Sequence, residues 1–423
     1  MEPLTRRGFL CLGGLAGTAW LTPIGHMLAR AAETTANKRE PAQSIIVLWL
    51  AGGPSQLETC DPHPGAKIAG GTGALNTSVK GIQLAPGLER TAEEMQSISL
   101  IRSLVSKEGD HERGTYTLTT GFRPDPTVIH PSIGAICCHE LPVGNTEIPR
   151  HVSILPSTWP ARGGYLGDQY NPFHMDDPAG PVPDTKSFLP AGSDNQRLEN
   201  LDVVETAFAK GREKRVAATL HRETVAGARK MMTSDQLKAF DVSKEIASLR
   251  KAYGETPFGR GCLAARRLIE VGVRCVEVTL SGWDTHVNNH EQVRTQLTTF
   301  DPASSTLIRD LRERKLLERT VVLVAGEFGR TPAINAAGGR DHWPTGFSVA
   351  LAGGGIHGGQ VIGETDPEGK PEPKAPVSVG DLFATMLTAV GINPGKLNQT
   401  PIGRTVAFSD KGKPIAKLLE KLE

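Results

Sequence analysis

The sequence predicts an α/β layered domain: a central, mostly parallel sheet with helices on both faces and a helical insertion. Three observations carry this. Short apolar runs rich in β-branched residues recur along the chain, helical patterns stand between several of them, and glycines close the first. A strand that reads as a continuous apolar run is buried on both faces, as in a parallel sheet covered by helices. Strands alternating with helices make a layered α/β unit. A length of 423 residues suits one large domain of this kind with insertions. Hydrophobic residues at 38% and charged residues at 22% make the chain globular rather than disordered. Lys plus Arg total 47 against 46 Asp plus Glu, a net charge of +1, which argues against a nucleic-acid partner and against a polybasic membrane binder.

Residues 1–31 read as an address. Thr5-Arg6-Arg7-Gly8-Phe9-Leu10 leads into an apolar, small-residue run to about Ile24, and Ala29-Arg30-Ala31 supplies a cleavage site. This order is that of a twin-arginine export signal, with the twin-arginine translocase as partner and the periplasm or the exterior as destination. The run is too short and too glycine-rich for a firm membrane span, and no later stretch reaches about 18 uninterrupted apolar residues. Residues 32–43 are polar and read as a flexible leader. Cys11 leaves with the signal. The remaining Cys60, Cys137, Cys138, Cys262 and Cys275 are odd in number and contain no C-x-x-C pair, which argues against a cysteine-type structural zinc site, and Cys137 and Cys138, in an apolar helix-like run, read as buried free thiols.

The main domain is expected over 44–410. Ser44–Leu50 is the first buried strand, closed by Ala51-Gly52-Gly53-Pro54-Ser55; similar runs follow at Ser99–Leu104, Val152–Leu155, Val273–Leu280, Thr320–Ala325 and Phe347–Leu351. Helical patterns occupy Gly87–Gln96, Pro131–Glu140, Thr256–Val271, Val293–Leu317 and Asp381–Val390. Residues 198–252 are charged, poor in glycine and helical in period, which reads as an insertion of two or three surface helices. Residues 364–376 read as a solvated loop, and 411–423 as a charged, peripheral tail.

Ligands of open α/β sheets bind outside the carboxyl ends of the strands, and here those positions carry unusual residues. After the Val273–Leu280 run comes Gly282-Trp283-Asp284-Thr285-His286; the two-residue spacing puts Asp284 and His286 on one face of an extended chain, able to share a metal or simply to form a turn. The Thr320–Ala325 run delivers Glu327, a costly place for a carboxylate without a cation or a partner such as Arg330. Asp341-His342 offers a second oxygen–nitrogen pair, and His357 sits among five glycines in 353–359. Together Asp284, His286, Glu327, Asp341, His342 and His357 suit one or two divalent ions, zinc, manganese, calcium or iron. An earlier polar patch, Gly109-Asp110-His111-Glu112-Arg113-Gly114-Thr115-Tyr116, leads into a helix start, which favours anions or is an ordinary capped helix.

Leu118-Thr119-Thr120-Gly121-Phe122-Arg123-Pro124 resembles the end of the sulfatase signature, and the order of the acidic and histidine elements resembles the alkaline phosphatase–sulfatase superfamily. More closely, the mature chain from 44 to about 400 is similar to the exported, sulfatase-like family known as domain of unknown function 1501. Gly52-Gly53-Pro54-Ser55, Asp61-Pro62, Gly109-Asp110-His111, Arg113-Gly114-Thr115-Tyr116, Gly282-Trp283-Asp284-Thr285-His286, Gly326-Glu327-Phe328-Gly329-Arg330-Thr331-Pro332 and Arg340-Asp341-His342-Trp343 carry that likeness. The resemblance implies an alkaline phosphatase-like layered fold. Counted back from Gly121, His111 stands where sulfatases carry the residue converted to formylglycine, so no formylglycine is expected. Where the superfamily places an aspartate after the first strand, this chain has Gly52-Gly53-Pro54-Ser55.

The leading expectation is an exported, metal-dependent hydrolase of phosphate or sulfate esters, acting on a small-molecule or polysaccharide ester. Thr115 or Ser55 would be the nucleophile, His111 a general acid or a metal ligand, and Arg113 and Arg330 anion clamps. The alternative is a non-catalytic secreted binding protein on a sulfatase-like scaffold, whose polar groups would be mutually paired and closed. A nucleotide site at 353–359 ranks last, because a strand rather than a helix is expected at Gln360–Gly363.

Overall fold

A computed structural model describes residues 40–420. The expected export signal, 1–31, and residues 32–39 of the expected leader lie outside the described residues. The end of the leader is docked: Ala42 is buried and its amide donates to the Ala389 carbonyl at 3.0 Å.

β1 (Ser44–Ala51) is the spine of the sheet. Its side chains alternate between two cores: Ile45, Val47 and Trp49 enter one, Ile46, Leu48 and Leu50 the other. Burial on both faces is why the strand has no polar side. The rest of the main sheet is β2 (Ile98–Val105), β3 (His151–Ile154), β4 (Phe173–Met175), β5 (Cys275–Ser281), β6 (Thr320–Ala325), β7 (Phe347–Gly353), β8 (Val361–Ile362) and β9 (Val377–Ser378). The order across the sheet is β8-β2-β7-β6-β1-β5-β3-β4, with β9 also pairing with β2. β1 is parallel to both β5 and β6, and β3 to both β4 and β5. β7 runs antiparallel to both neighbours, β2 and β6. The sheet is therefore mixed but mostly parallel.

The helices are α1 (Glu89–Glu93), α2 (His111–Thr120), α3 (Ile133–Glu140), α4 (Ala191–Ala209), α5 (Glu213–Ala218), α6 (His221–Thr233), α7 (Ala247–Tyr253), α8 (Pro257–Glu270), α9 (Asn289–Glu313) and α10 (Val379–Ala389). One face of the sheet is covered by α8 and α9 with the short α1; the other by α2, α3 and α10. Their starts are written in the sequence. Asp110, Ser132 and Thr256 cap α2, α3 and α8 through their side chains, and Ser378 with Asp381 forms a capping box for α10. No helix among the described residues is long and apolar enough to cross a membrane.

Four details differ from the sequence expectations. The Gly87–Gln96 pattern yields only the five-residue α1 and a 3-10 turn. The helical insertion begins earlier, at Ala191, and spans α4 to α7. β7 is reversed, because a fully buried run looks the same in either direction. The end of the chain is not peripheral at Leu418, whose side chain is wholly buried. Its carbonyl accepts from the His357 amide at 2.8 Å, and the Glu420 amide donates to the Gly355 carbonyl at 2.9 Å.

Candidate metal centre

Five connections meet at the carboxyl edge of the parallel strands. Gly52 to Ser55 follow β1, His111 opens α2 after β2, Gly282 to His286 follow β5, and Glu327 follows β6. Because β7 is reversed, its amino end lies at the same edge, which brings in Asp341 and His342. The short antiparallel pair Gly329–Arg330 with His342–Trp343 fixes their position.

Gly52 makes this meeting possible. Its φ is +118°, and a Cβ there would lie 2.4 Å from the Asp284 amide nitrogen and 2.7 Å from the Trp283 carbonyl carbon. Beneath the loops, Arg330 is wholly buried. Its guanidinium donates to the carbonyls of Gly53 (2.9 Å) and Arg340 (3.0 Å), to that of Gly52, and to Asp284 Oδ1 at 2.5 Å. Beside it Glu58 gathers the side chains of Ser55 (2.5 Å), Thr72 (3.1 Å), Asn289 (2.8 Å) and Arg340 (2.7 Å).

Three imidazoles surround the Asp284 carboxylate, and each has its Nδ1 on an acceptor. His111 Nδ1 meets Glu327 Oε1 at 2.7 Å, His286 Nδ1 meets Asp341 Oδ1 at 2.8 Å, and His342 Nδ1 meets the Gly109 carbonyl at 2.7 Å. Carboxylate and carbonyl oxygens only accept, so each Nδ1 carries the proton and each neutral ring turns its Nε2 lone pair inward. The Nε2 atoms of His286 and His342 are 3.0 Å apart. They stand 3.1 and 3.3 Å from Asp284 Oδ1, and His111 Nε2 is 3.4 Å from Oδ2. Lone pairs facing lone pairs at these distances repel unless a cation or an added proton lies between them. Ligand atoms about 2.0–2.1 Å from one tetrahedral ion would themselves be roughly 3.3–3.4 Å apart. The donor set, with each imidazole braced from behind by an oxygen, therefore suits a borderline divalent ion. His111, Asp284 and His342 have ligand atoms all within 4.8 Å of one another.

The charges are polarised. Partial burial pushes the Asp284 carboxyl up, but the bond and charge of Arg330, with His111 and His342, outweigh it and hold it below the usual range. The bond to Glu327 raises His111 above an ordinary imidazole, against burial. Burial lowers His342, against its bond to the Gly109 carbonyl. The cluster is open to solvent: the Asp284 side chain is 47% exposed, Arg330 beneath it 0%.

The structure brings together His111, Asp284, His286 and His342. Glu327 and Asp341 stand behind two of the rings as their acceptors; Glu327 is also bound by the Gly52 amide at 2.9 Å, and its buried Oε2 has no partner. His357 is a correction to the expected set. It follows the carboxyl end of the reversed β7, where Gly353 pairs with Val321 at the start of β6, so it lies at the opposite edge. Arg330 is likewise tied into the loop carbonyls rather than free to clamp an anion. Ser55 is wholly buried and its hydroxyl is already donated to Glu58. Thr115 is buried on α2, where it lines a narrow cavity against Val47 and Trp49 of the sheet. Arg113 is exposed, with its Nε 2.8 Å from Glu108. Sequence reasoning missed Trp159, which stacks on His111 with ring centroids 6.0 Å apart and planes 5° from parallel. It also missed Phe328, 4.3 Å from His342 by centroid. A lone tryptophan in a loop and a phenylalanine inside a motif give no periodic signal.

A search of curated proteins finds no match. Solved structures similar to this chain include the alkaline phosphatase from the Antarctic bacterium TAB5, at 12% identity and a TM-score of 0.37, covering 84% of this chain and 100% of that one. The PsFucS1 sulfatase from Pseudoalteromonas sp. is similar at 13% identity and a TM-score of 0.39, covering 86% and 70%. The C-terminal periplasmic domain of EcEptC from Escherichia coli, solved in complex with Zn, is similar at 8% identity and a TM-score of 0.39, covering 90% and 96%. The family model described as protein of unknown function DUF1501 matches residues 42–419, and the chain belongs to that family.

Proposed function

We propose that this chain is an exported, metal-dependent hydrolase of phosphate or sulfate esters. The observation that carries the reading is the inward turn of three Nε2 lone pairs onto one half-exposed carboxylate, Asp284. His111, Asp284, His286 and His342 would hold one or two divalent ions. Such an ion, when bound, supplies Lewis-acid polarisation of the ester oxygens.

The residues of the chain supply the rest. Glu327, itself held by the Gly52 amide, fixes the His111 ring with its proton on Nδ1, so that Nε2 faces the opening as a donor to the ion. The hydroxyls of Ser55 and Thr115 are both buried. Solvent water is therefore the attacking group in this reading, and the products are an alcohol and phosphate or sulfate. The proton for the alkoxide that leaves as the phosphorus–oxygen or sulfur–oxygen bond breaks then comes from the attacking water. Arg113, exposed in the first turn of α2 with its Nε on Glu108, is the cation that would meet an anionic substrate, and Trp159 walls the site beside His111.

The test is elemental analysis of the mature protein purified without chelators, followed by a screen of nitrophenyl phosphate and nitrophenyl sulfate. One or two equivalents of metal, lost in Asp284→Asn and His342→Ala together with ester hydrolysis, support the reading. A folded wild type that takes up no added metal sinks it. That outcome favours the non-catalytic alternative, for which the Arg330–Asp284 ion pair is the specific observation.

A further inference from the structure

A second cluster of metal-ligand types lies at the other edge of the sheet. Cys275 is the first residue of β5 and His151 the first of β3, and the parallel register sets them directly side by side. Glu277, two residues after Cys275, points to the same face. Ligand atoms of His151, Cys275 and Glu277 lie within 4.8 Å of one another, and Cys275 is wholly buried. This group shares no residue with the centre around Asp284.

Two further observations separate it from ordinary packing. His151 Nδ1 is 3.0 Å from the Tyr170 carbonyl, which only accepts, so Nδ1 carries the proton. The neutral ring then turns its Nε2 lone pair toward Glu277 Oε1 at 3.2 Å. Two acceptors face each other inside the protein beside a thiol. Above them the backbone of α3 packs closely. Gly134 stands where a Cβ would come within 2.4 Å of His151 Nε2 and 2.7 Å of Cys275 Sγ. Glycine inside a helix costs about 1 kcal/mol relative to alanine, and here the missing Cβ lets the α3 backbone approach His151 and Cys275.

We propose that His151, Cys275 and Glu277 form a second, buried site for a borderline divalent cation of the zinc class, structural rather than catalytic. Nitrogen, sulfur and carboxylate oxygen are the donor types zinc accepts, and a spacing of 3.2 Å between nitrogen and oxygen is that of two ligands on one such ion. Binding replaces the thiol proton: the S–H bond of Cys275 breaks, the proton leaves to solvent, and the thiolate sulfur takes the cation. The ion would then join β3 to β5 beneath α3.

The test uses full-length protein produced in cobalt-supplemented medium, since cobalt(II) bound by a thiolate shows a near-ultraviolet charge-transfer band. Wild type and Asp284→Asn/His342→Ala protein are expected to show the band, whereas Cys275→Ser loses it along with one equivalent of metal. Gly134→Ala keeps the thiol but drives a Cβ against His151 Nε2 and Cys275 Sγ, displacing the ligand atoms, and is expected to lose the band as well, which covers the case of a Cys275→Ser chain that does not fold. Absence of a thiolate band in folded wild type, or its persistence in Cys275→Ser, overturns the proposal. Either failure leaves the reading of the Asp284 centre untouched, because that centre contains no sulfur ligand.

Discussion

Glu58→Gln tests how the loops of the Asp284 centre are held. Glu58 and Arg340 are a buried ion pair, 5% and 0% exposed, with Arg340 Nη2 and Nε at 2.7 and 3.2 Å from Glu58 Oε1. Glutamine keeps the shape but removes the charge, and one of its two oxygens becomes an NH2 facing donors from Ser55, Asn289 or Arg340. Leaving one member of a buried pair uncompensated costs about 3–5 kcal/mol. For a folded unit near 380 residues the unfolding entropy is about 0.8 kcal/mol per kelvin, so the melting temperature should fall by about 4–6 °C. Arg340 immediately precedes Asp341 and His342, so metal affinity should weaken in the same variant. Glu58→Gln/Arg340→Met, which removes both charges, should recover part of the loss, because the cost lies in the unpaired charge. Scanning calorimetry of the metal-free wild type and both variants measures the midpoints, and titration with metal measures the affinity. A Glu58→Gln midpoint within 1 °C of wild type would refute the argument.

Other outcomes follow from single features. Gly52→Ala forces a Cβ into the backbone of Trp283 and Asp284 at positive φ, which should cost about 2–6 kcal/mol and abolish metal binding; chemical denaturation and elemental analysis read both. Leu418→Ala removes a wholly buried side chain from the core beneath the 353–357 turn, and at about 2–5 kcal/mol it should lower the midpoint by about 3–6 °C. His130 is buried against Phe122, with ring centroids 4.1 Å apart, and burial is the main cause that lowers its pKa. Its contribution to stability is therefore full above the unfolded value of about 6.5 and is lost as pH falls through the native value, so His130→Gln should show a smaller drop in midpoint between pH 7.5 and 5.5 than wild type. Replacing Arg6 and Arg7 by lysines should leave the full-length precursor inside the cell, and normal appearance of the mature protein outside would remove the twin-arginine reading.

The strands were the legible part of this molecule. The apolar runs at 44–50 and 320–325 sit almost residue for residue on β1 and β6, because burial on both faces leaves no room for a polar side chain. Direction was not legible. Phe347–Gly353 reads like its parallel neighbours and runs the other way, and that reversal carried Asp341 and His342 toward Asp284 while taking His357 to the far edge. Roles within the set were equally hidden. Glu327 and a direct ligand look alike in a sequence, since both are carboxylates at strand ends; what separates them is that Oε1 of Glu327 faces His111 Nδ1 rather than the shared opening. The burial of Ser55 and Arg330 depends on loops hundreds of residues away, as the 275-residue separation of Gly52 and Glu327 illustrates. The His151–Cys275–Glu277 group escaped notice because strands far apart in the chain supply it, and no local spacing encodes their register.

The central position of β1 sets the order of events during synthesis. The first strand made must wait for β5 and β6, and Ser44 bonds to the Val273 carbonyl across 229 residues of chain. Until those arrive, an apolar edge with unpaired amides and carbonyls stands open to other chains. Pairings of such long sequence separation make folding slow and exposed to aggregation. The donors around Asp284 are spread over residues 111 to 342, so they come together only after most of the chain has been made, and an ion bound there would not template the early steps. Adding metal to refolding protein should leave the folding rate unchanged and act only by slowing the reverse reaction.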